Sequence, residues 1–188
     1  GEGMPALDYL ARPFAYREML TMCLDSKVWD TDLEIPEQFL IKRKPGEVLI
    51  YHGMGNYHSR QDKERNIKGS PAIFRAVEKL KSEGFSVGLV FITDMKNIDV
   101  RFIQAQCDII VDQLIYGRFG STSKEGLMLG KPVICYINAH ENYPHKELKC
   151  ILEAPIVSAT EDSIYSILKN MILNKSLRDK LSIDGRAY

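Results

Sequence analysis

From residue 47 to the end of the chain, short apolar runs alternate with amphipathic stretches. The runs "EVLIYH" (47–52), "SVGLVFIT" (86–93), "DIIVDQL" (108–114), "KPVICYI" (131–137) and "APIVSA" (154–159) predict strands. Several carry apolar residues at consecutive positions, as strands covered on both faces do. Between them, "SPAIFRAVEKLKSEG" (70–84) predicts a helix with Ile73, Val77 and Leu80 as its inner stripe. Ser70 is placed to cap it, Pro71 suits its first turn, and Gly84 ends it. Shorter helices are predicted over 100–106 and 122–130, and a longer one over 160–173 with Thr160 as cap, followed by "SLRDKLSIDG". Strands alternating with helices predict an α/β fold, a Rossmann-like doubly wound parallel sheet. Residues 1–46 are less regular: "PFAYREMLTMCLDS" has helical spacing, and Pro36 and Pro45 interrupt the stretch after it. The expected organisation is an N-terminal helix and linker over 1–46 and one ligand-binding domain over 47–188.

Composition changes this picture little. A 45% apolar content supports a packed core, and 25 basic residues balance 25 acidic ones. That balance gives no electrostatic case for nucleic acid. No apolar run reaches the roughly 20 residues of a membrane span. Cys23, Cys107, Cys135 and Cys150 show no CxxC pair, and His52, His58, His140 and His145 do not complete a zinc pattern, so reduced thiols and no metal are expected. "GEG" at the start reads as a cloning remnant, and the end falls within a helical pattern, so a piece of a longer protein is expected.

In doubly wound sheets, ligands sit at the carboxyl ends of the strands. Loops 53–69, 93–99, 112–122 and 137–145 therefore hold the candidates. Loop 53–70 carries Gly55, Asn56, Arg60, Lys63, Arg65 and Lys68 and runs into a helix N-terminus, which favours phosphate. It contains neither GxGxxG nor GxxxxGK[ST]; a solvated surface loop is the alternative. "FGST" (119–122) offers small residues at a second helix start, and Glu125 follows within that helix. A carboxylate there can accept two hydroxyl hydrogen bonds, or simply favour the helix dipole. His52 and His58 could be bases, although His52 also fits a buried strand end. Asp112, Gln113, Asp94 and Asn97 end strands and could line a site or cap the sheet.

Lys68-Gly69 before a helix, then "CDIIVDQL" and "FGSTSKEGLMLGKPVI", resemble the C-terminal domain of retaining glycosyltransferases of the GT-B fold, the group 1 (family 4-like) transferases with the pattern FG…E…M..GKPVI. The likeness spans residues 46–188 and is most specific from Glu125 to Ile134. It implies one half of a GT-B fold. It also implies a nucleotide-diphosphate sugar as substrate, with no separate cofactor. Carried over residue by residue, Lys68 would contact the diphosphate and Glu125 the ribose, the two positions assigned to catalysis. Gly55, Asn56, Arg65, Asp112, Gln113, Gly117, Phe119, Gly120, Ser121 and Thr122 complete the expected donor contacts. The chain departs from the family pattern at Gly117, where an earlier glutamate is usual. The family's second diphosphate-binding arginine has no clear match, with Arg60 and Arg65 as candidates.

The resemblance implies sugar transfer, of hexosyl type and connected with polysaccharide biosynthesis, to an acceptor held by a domain outside this chain. This fragment alone would then be inactive. A cytoplasmic location, membrane-peripheral in the full-length protein, is expected. The alternatives are a nucleotide-sugar 2-epimerase-like enzyme and an inactive nucleotide-binding or interaction module, the latter favoured by Gly117.

Overall fold

A computed structural model describes residues 24–57, 68–139 and 152–188 of the chain. It contains a five-stranded parallel sheet built from β1 (Val48–Gly53), β2 (Val87–Ile92), β3 (Ile109–Val111), β4 (Val133–Ile134) and β5 (Ile156–Val157). The order is β2-β1-β3-β4-β5, so the winding reverses between β1 and β3. Five α-helices are described: α1 (Ser70–Ser82), α2 (Asn97–Gln106), α3 (Ser121–Met128), α4 (Ile164–Leu173) and α5 (Lys175–Ala187).

The double winding follows from the strands' consecutive apolar residues. Val48 and Ile50 of β1 face one core with Ile73, Val77 and Leu80 of α1 and Leu168 and Met171 of α4. Leu49 and Tyr51 face a second core with Val100 and Ile103 of α2 and Leu127 of α3. Side chains alternate across a strand, so a run apolar at every position needs cover on both faces.

Each expected strand is present, but shorter at its ends. Pairing persists beyond the regular ladder, since Asp112 N–H donates to the Ile134 carbonyl and Tyr136 N–H to the Gln113 carbonyl. The second helix starts at Asn97 rather than 100, because its first turn is polar and shows no apolar period. Two expected caps are corrected. Gly69 caps α1, while Ser70 is the first helical residue and its hydroxyl bonds His52. Helix α4 starts after Ser163, and Thr160 lies one turn earlier. The expected helix near the N-terminus falls mostly in residues 1–23, outside the described residues. Residues 29–43 lie against the domain: Trp29 is buried, Phe39 stacks on Phe102 at 5.0 Å, and Ile41 N–H donates to Gln106.

Two glycines place the loops that matter. Gly130 (φ 62°) closes α3: its N–H donates to the Leu127 carbonyl and the Lys131 N–H to the Gly126 carbonyl, and Pro132 then stops the helix. Gly69 (φ 69°) turns the chain into α1 where an added Cβ would stand 3.0 Å from Leu114 Cβ. Both positions require the left-handed region, where a side chain costs about 1–2 kcal/mol. Only Gly69 adds a steric clash that tight, whereas at Gly130 the nearest atom is 3.4 Å away. Gly130→Ala is therefore expected to cost about 1 kcal/mol and Gly69→Ala about 2–3 kcal/mol. Equal shifts of the two urea midpoints would contradict this assignment.

Candidate functional site

The sheet's carboxyl edge gathers at the β1/β3 reversal, where ligands of doubly wound folds bind. Asp112, the residue after β3, stands there with a side chain only 1% exposed. Its Oδ1 accepts from Lys68 Nζ at 2.7 Å. Its Oδ2 accepts from Gly120 N–H and from Ser123 Oγ, both at 2.8 Å. Burial alone would raise this carboxyl's pKa; the Lys68 charge and the three hydrogen bonds outweigh it and hold the pKa below the usual value.

The Asp112 carboxylate thus ties together the entry to α1, the end of β3 and the start of α3. Lys68 also donates to Thr122 Oγ1 at 3.3 Å, in the first turn of α3, and its carbonyl accepts from Leu114 N–H. No side chain caps α3. The early N–H groups of an α-helix, here those of Ser121 and Thr122, lack intrahelical partners, the kind of donors that bind anions.

Glu125 lies one turn further along α3 and is 3% exposed. Asn97 Nδ2 donates to its Oε1 and Gln104 Nε2 to its Oε2, both at 2.8 Å. Asn97 and Gln104 are two turns apart on α2 and so share a face. Asn97 is exposed and covers Glu125 on the solvent side; Gln104 is fully buried. With one donor per oxygen, a second lone pair remains on each. The nearby Glu125 charge adds to burial in raising the pKa of Tyr51.

Lys68, Asp112, Gly120, Thr122 and Glu125 therefore share one rim. Gln113 is buried and braces the loop, its amide donating to the Arg118 carbonyl. Phe119 packs against the second core. Gly117 is buried with φ 87°, and its carbonyl accepts from Asn138 N–H at 2.8 Å. Gly55 and Asn56 form the exposed turn after β1, with Asn56 left-handed at φ 55°. Ser121 is exposed at the helix start. Arg60, Arg65 and His58 lie outside the described residues. Among the described residues no three acidic, histidine or cysteine side chains converge as a metal site, and no helix is long and apolar enough to cross a membrane.

Gln104 and Ser123 are the members that sequence reading missed. The one signal for Gln104 was a polar residue at a position where α2's spacing calls for an apolar one. His52 takes the structural role. It is fully buried, with Nδ1 donating to the Val111 carbonyl at 3.0 Å and Nε2 accepting from Ser70 Oγ at 2.7 Å. Burial and then the Lys68 charge lower its pKa to about 4.

No protein-family model and no curated protein sequence matches the chain. Among solved structures it is similar to the C-terminal domain of a glycosyl transferase group 1 family protein (LpcC) from Francisella tularensis. That match has 13% identity and a TM-score of 0.53, over 88% of this chain and 95% of that one. It is similar to a UDP-N-acetylglucosamine 2-epimerase from Listeria monocytogenes (12% identity, TM-score 0.52), covering 84% of this chain and 46% of that one. It is also similar to a TarM variant from S. aureus in complex with fondaparinux, alpha-GlcNAc-glycerol and UDP. There the identity is 11% and the TM-score 0.50, over 82% of this chain and 33% of that one. The chain thus spans less than half of the latter two proteins. These likenesses establish the fold, a Rossmann-like half of the GT-B type, as expected from the sequence.

His52 gives this arrangement a pH signature. Its folded pKa of about 4 lies below the ordinary 6.5, so between those values the unfolded chain binds a proton that the folded chain does not. Stability is then lost as pH falls through that window, by at most about 1.4 kcal/mol per pH unit. Urea unfolding at pH 7 and pH 5 should show a smaller acid loss in His52→Gln than in the native chain. Identical losses would contradict a neutral His52.

Proposed function

We propose that this chain is the donor-binding half of a glycosyltransferase, holding a nucleotide-diphosphate sugar at the rim around Lys68 and Glu125. The observation that carries the reading is their convergence: Lys68 reaches Thr122 at the start of α3, and Glu125 stands one turn along the same helix. A cation and free helix N–H groups suit a diphosphate, and a carboxylate next to them suits a ribose diol.

Lys68 works within a constraint. An ammonium has three N–H bonds. Asp112 and Thr122 take two, which leaves one for a phosphate oxygen. The Lys68–Asp112 pair is neutral, so attraction of the diphosphate also relies on the α3 N–H groups. As the sugar departs, charge develops on the diphosphate, and these donors would stabilise it. Because Asn97 covers Glu125, a ribose hydroxyl would reach the second lone pair of a Glu125 oxygen beside the Asn97 amide, or displace that amide. Gly117 leaves its loop without the family's carboxylate for the sugar, so backbone N–H groups of 117–121 other than that of Gly120, which bonds Asp112, would hold the sugar. The acceptor would be held by another domain, with transfer of a hexosyl group and retention as the finer reading. A polysaccharide product and a cytoplasmic, membrane-peripheral setting belong to the same proposal.

The similarity to a 2-epimerase supports a second reading in which the same rim holds a nucleotide sugar that is inverted rather than transferred. Labelled donor sugars given to the full-length protein separate the two: label on an acceptor supports transfer, and an inverted donor supports epimerisation.

Calorimetry with UDP, GDP and ADP and their nucleosides tests the binding itself. Lys68→Met would strand the buried Asp112 charge, so Lys68→Met/Asp112→Asn serves as the folded comparison. Diphosphate binding should weaken by about 1–3 kcal/mol in both variants, and nucleoside binding should stay unchanged. Glu125→Gln should weaken both ligands. Unchanged affinities in all variants would overturn the assignment.

A further inference from the structure

Glu125 and the helix start leave one part of the same sequence stretch without a role: Lys131, in the Gly130-Lys131-Pro132 turn. It lies at the opposite edge of the sheet, where the chain enters β4. There a cavity of about 170 Å³ is lined by Cys107, Asp108, Lys131, Arg178, Asp179 and Ser182, among others. At about 30 Å³ per water, it has room for several water-sized groups.

The charges on its wall are unevenly satisfied. Asp108 accepts from Leu49 N–H at 2.7 Å and from Arg43. Asp179 receives Lys175 on both oxygens at 2.8 Å. Arg178 is fixed by donating Nη1 to the Met171 and Ile172 carbonyls, which leaves its other N–H groups available. Lys131 is half-buried, yet its side-chain ammonium donates no hydrogen bond and makes no ion pair to a described residue. Burial lowers its pKa, only partly offset by the more distant Asp108 charge. A desolvated ammonium without a partner is costly, and an anion beside it relieves that cost. With Lys131, Lys175 and Arg178 against Asp108 and Asp179, the lining carries one positive charge in excess.

We propose that this cavity is a second anion site, separate from the carboxyl-edge rim, that binds a small phosphate-class oxyanion through Lys131 and the free edge of Arg178. A tetrahedral oxyanion can accept from both cations at once; Asp179 is held on both oxygens by Lys175, and Asp108 is held through Oδ2 by Leu49 N–H and Arg43. The site does not depend on which nucleotide, if any, the opposite rim holds.

Titration calorimetry of inorganic phosphate and of glycerol phosphate into the whole chain, in phosphate-free buffer, tests it. Saturable binding is expected, weakened about tenfold or more in Lys131→Met and retained in Lys131→Arg. Tighter binding of the free ion marks inorganic phosphate as the occupant; tighter binding of the monoester marks a phosphoryl group on a larger molecule. Thermal melts confirm that each variant folds, and the amide signals of Asp108 and Lys131 should shift with phosphate in the unaltered chain. Absence of saturable binding or equal affinity in Lys131→Met would overturn the proposal.

Discussion

A carboxylate withdrawn from water stays ionised only if donors replace its hydration, and Asp112 meets that condition with donors from three separate segments. Lys68 comes from the loop before α1, Gly120 N–H from the loop before α3, and Ser123 from α3 itself. The position of each is therefore conditional on the others. Removing one partner from such a buried pair typically costs about 3–5 kcal/mol. The rim is in this sense a single unit, built on the residue that follows β3 at the sheet's reversal point.

This unit also sets the electrostatics of the proposed site. Lys68 is not a lone cation waiting for phosphate: it is neutralised within the fold and held in one orientation. Binding then draws on preorganised N–H groups as much as on net charge, which suits a chain with no basic excess. Glu125 is prepared in the same way. Two amides on one face of α2 fix its oxygens before any hydroxyl arrives, and Asn97 limits their access to water.

The parallel sheet was legible because its strands are apolar at successive positions, which only a doubly covered sheet explains. The positions of Lys68, just before α1, and Glu125, in the first turns of α3, were legible from a short motif. Their partners were harder to read. Gln104 and Ser123 act across 21 and 11 residues of chain; Gln104 showed only as a polar residue on the apolar stripe of α2, and nothing local distinguishes Ser123 from a surface polar residue. Ser70 suited a cap by local rule, but tertiary contact took its hydroxyl for His52, and Gly69 met the backbone requirement instead. Asp112 and Gln113 were read from their strand-end position as lining a site or capping the sheet, and as donor contacts only through the resemblance. Their side chains also hold the rim together, a role that strand position alone does not separate from ligand binding.

The central claim is that a nucleoside diphosphate sits on the rim organised by Asp112. Amide chemical-shift mapping of the chain during titration with UDP, GDP and ADP tests it most directly. The account predicts saturable shifts for one of them at Lys68, Gly69, Asn97 and 120–125, with the largest at the start of α3. Saturable shifts confined to the opposite edge of the sheet, or none at the rim with any of the three, would contradict it.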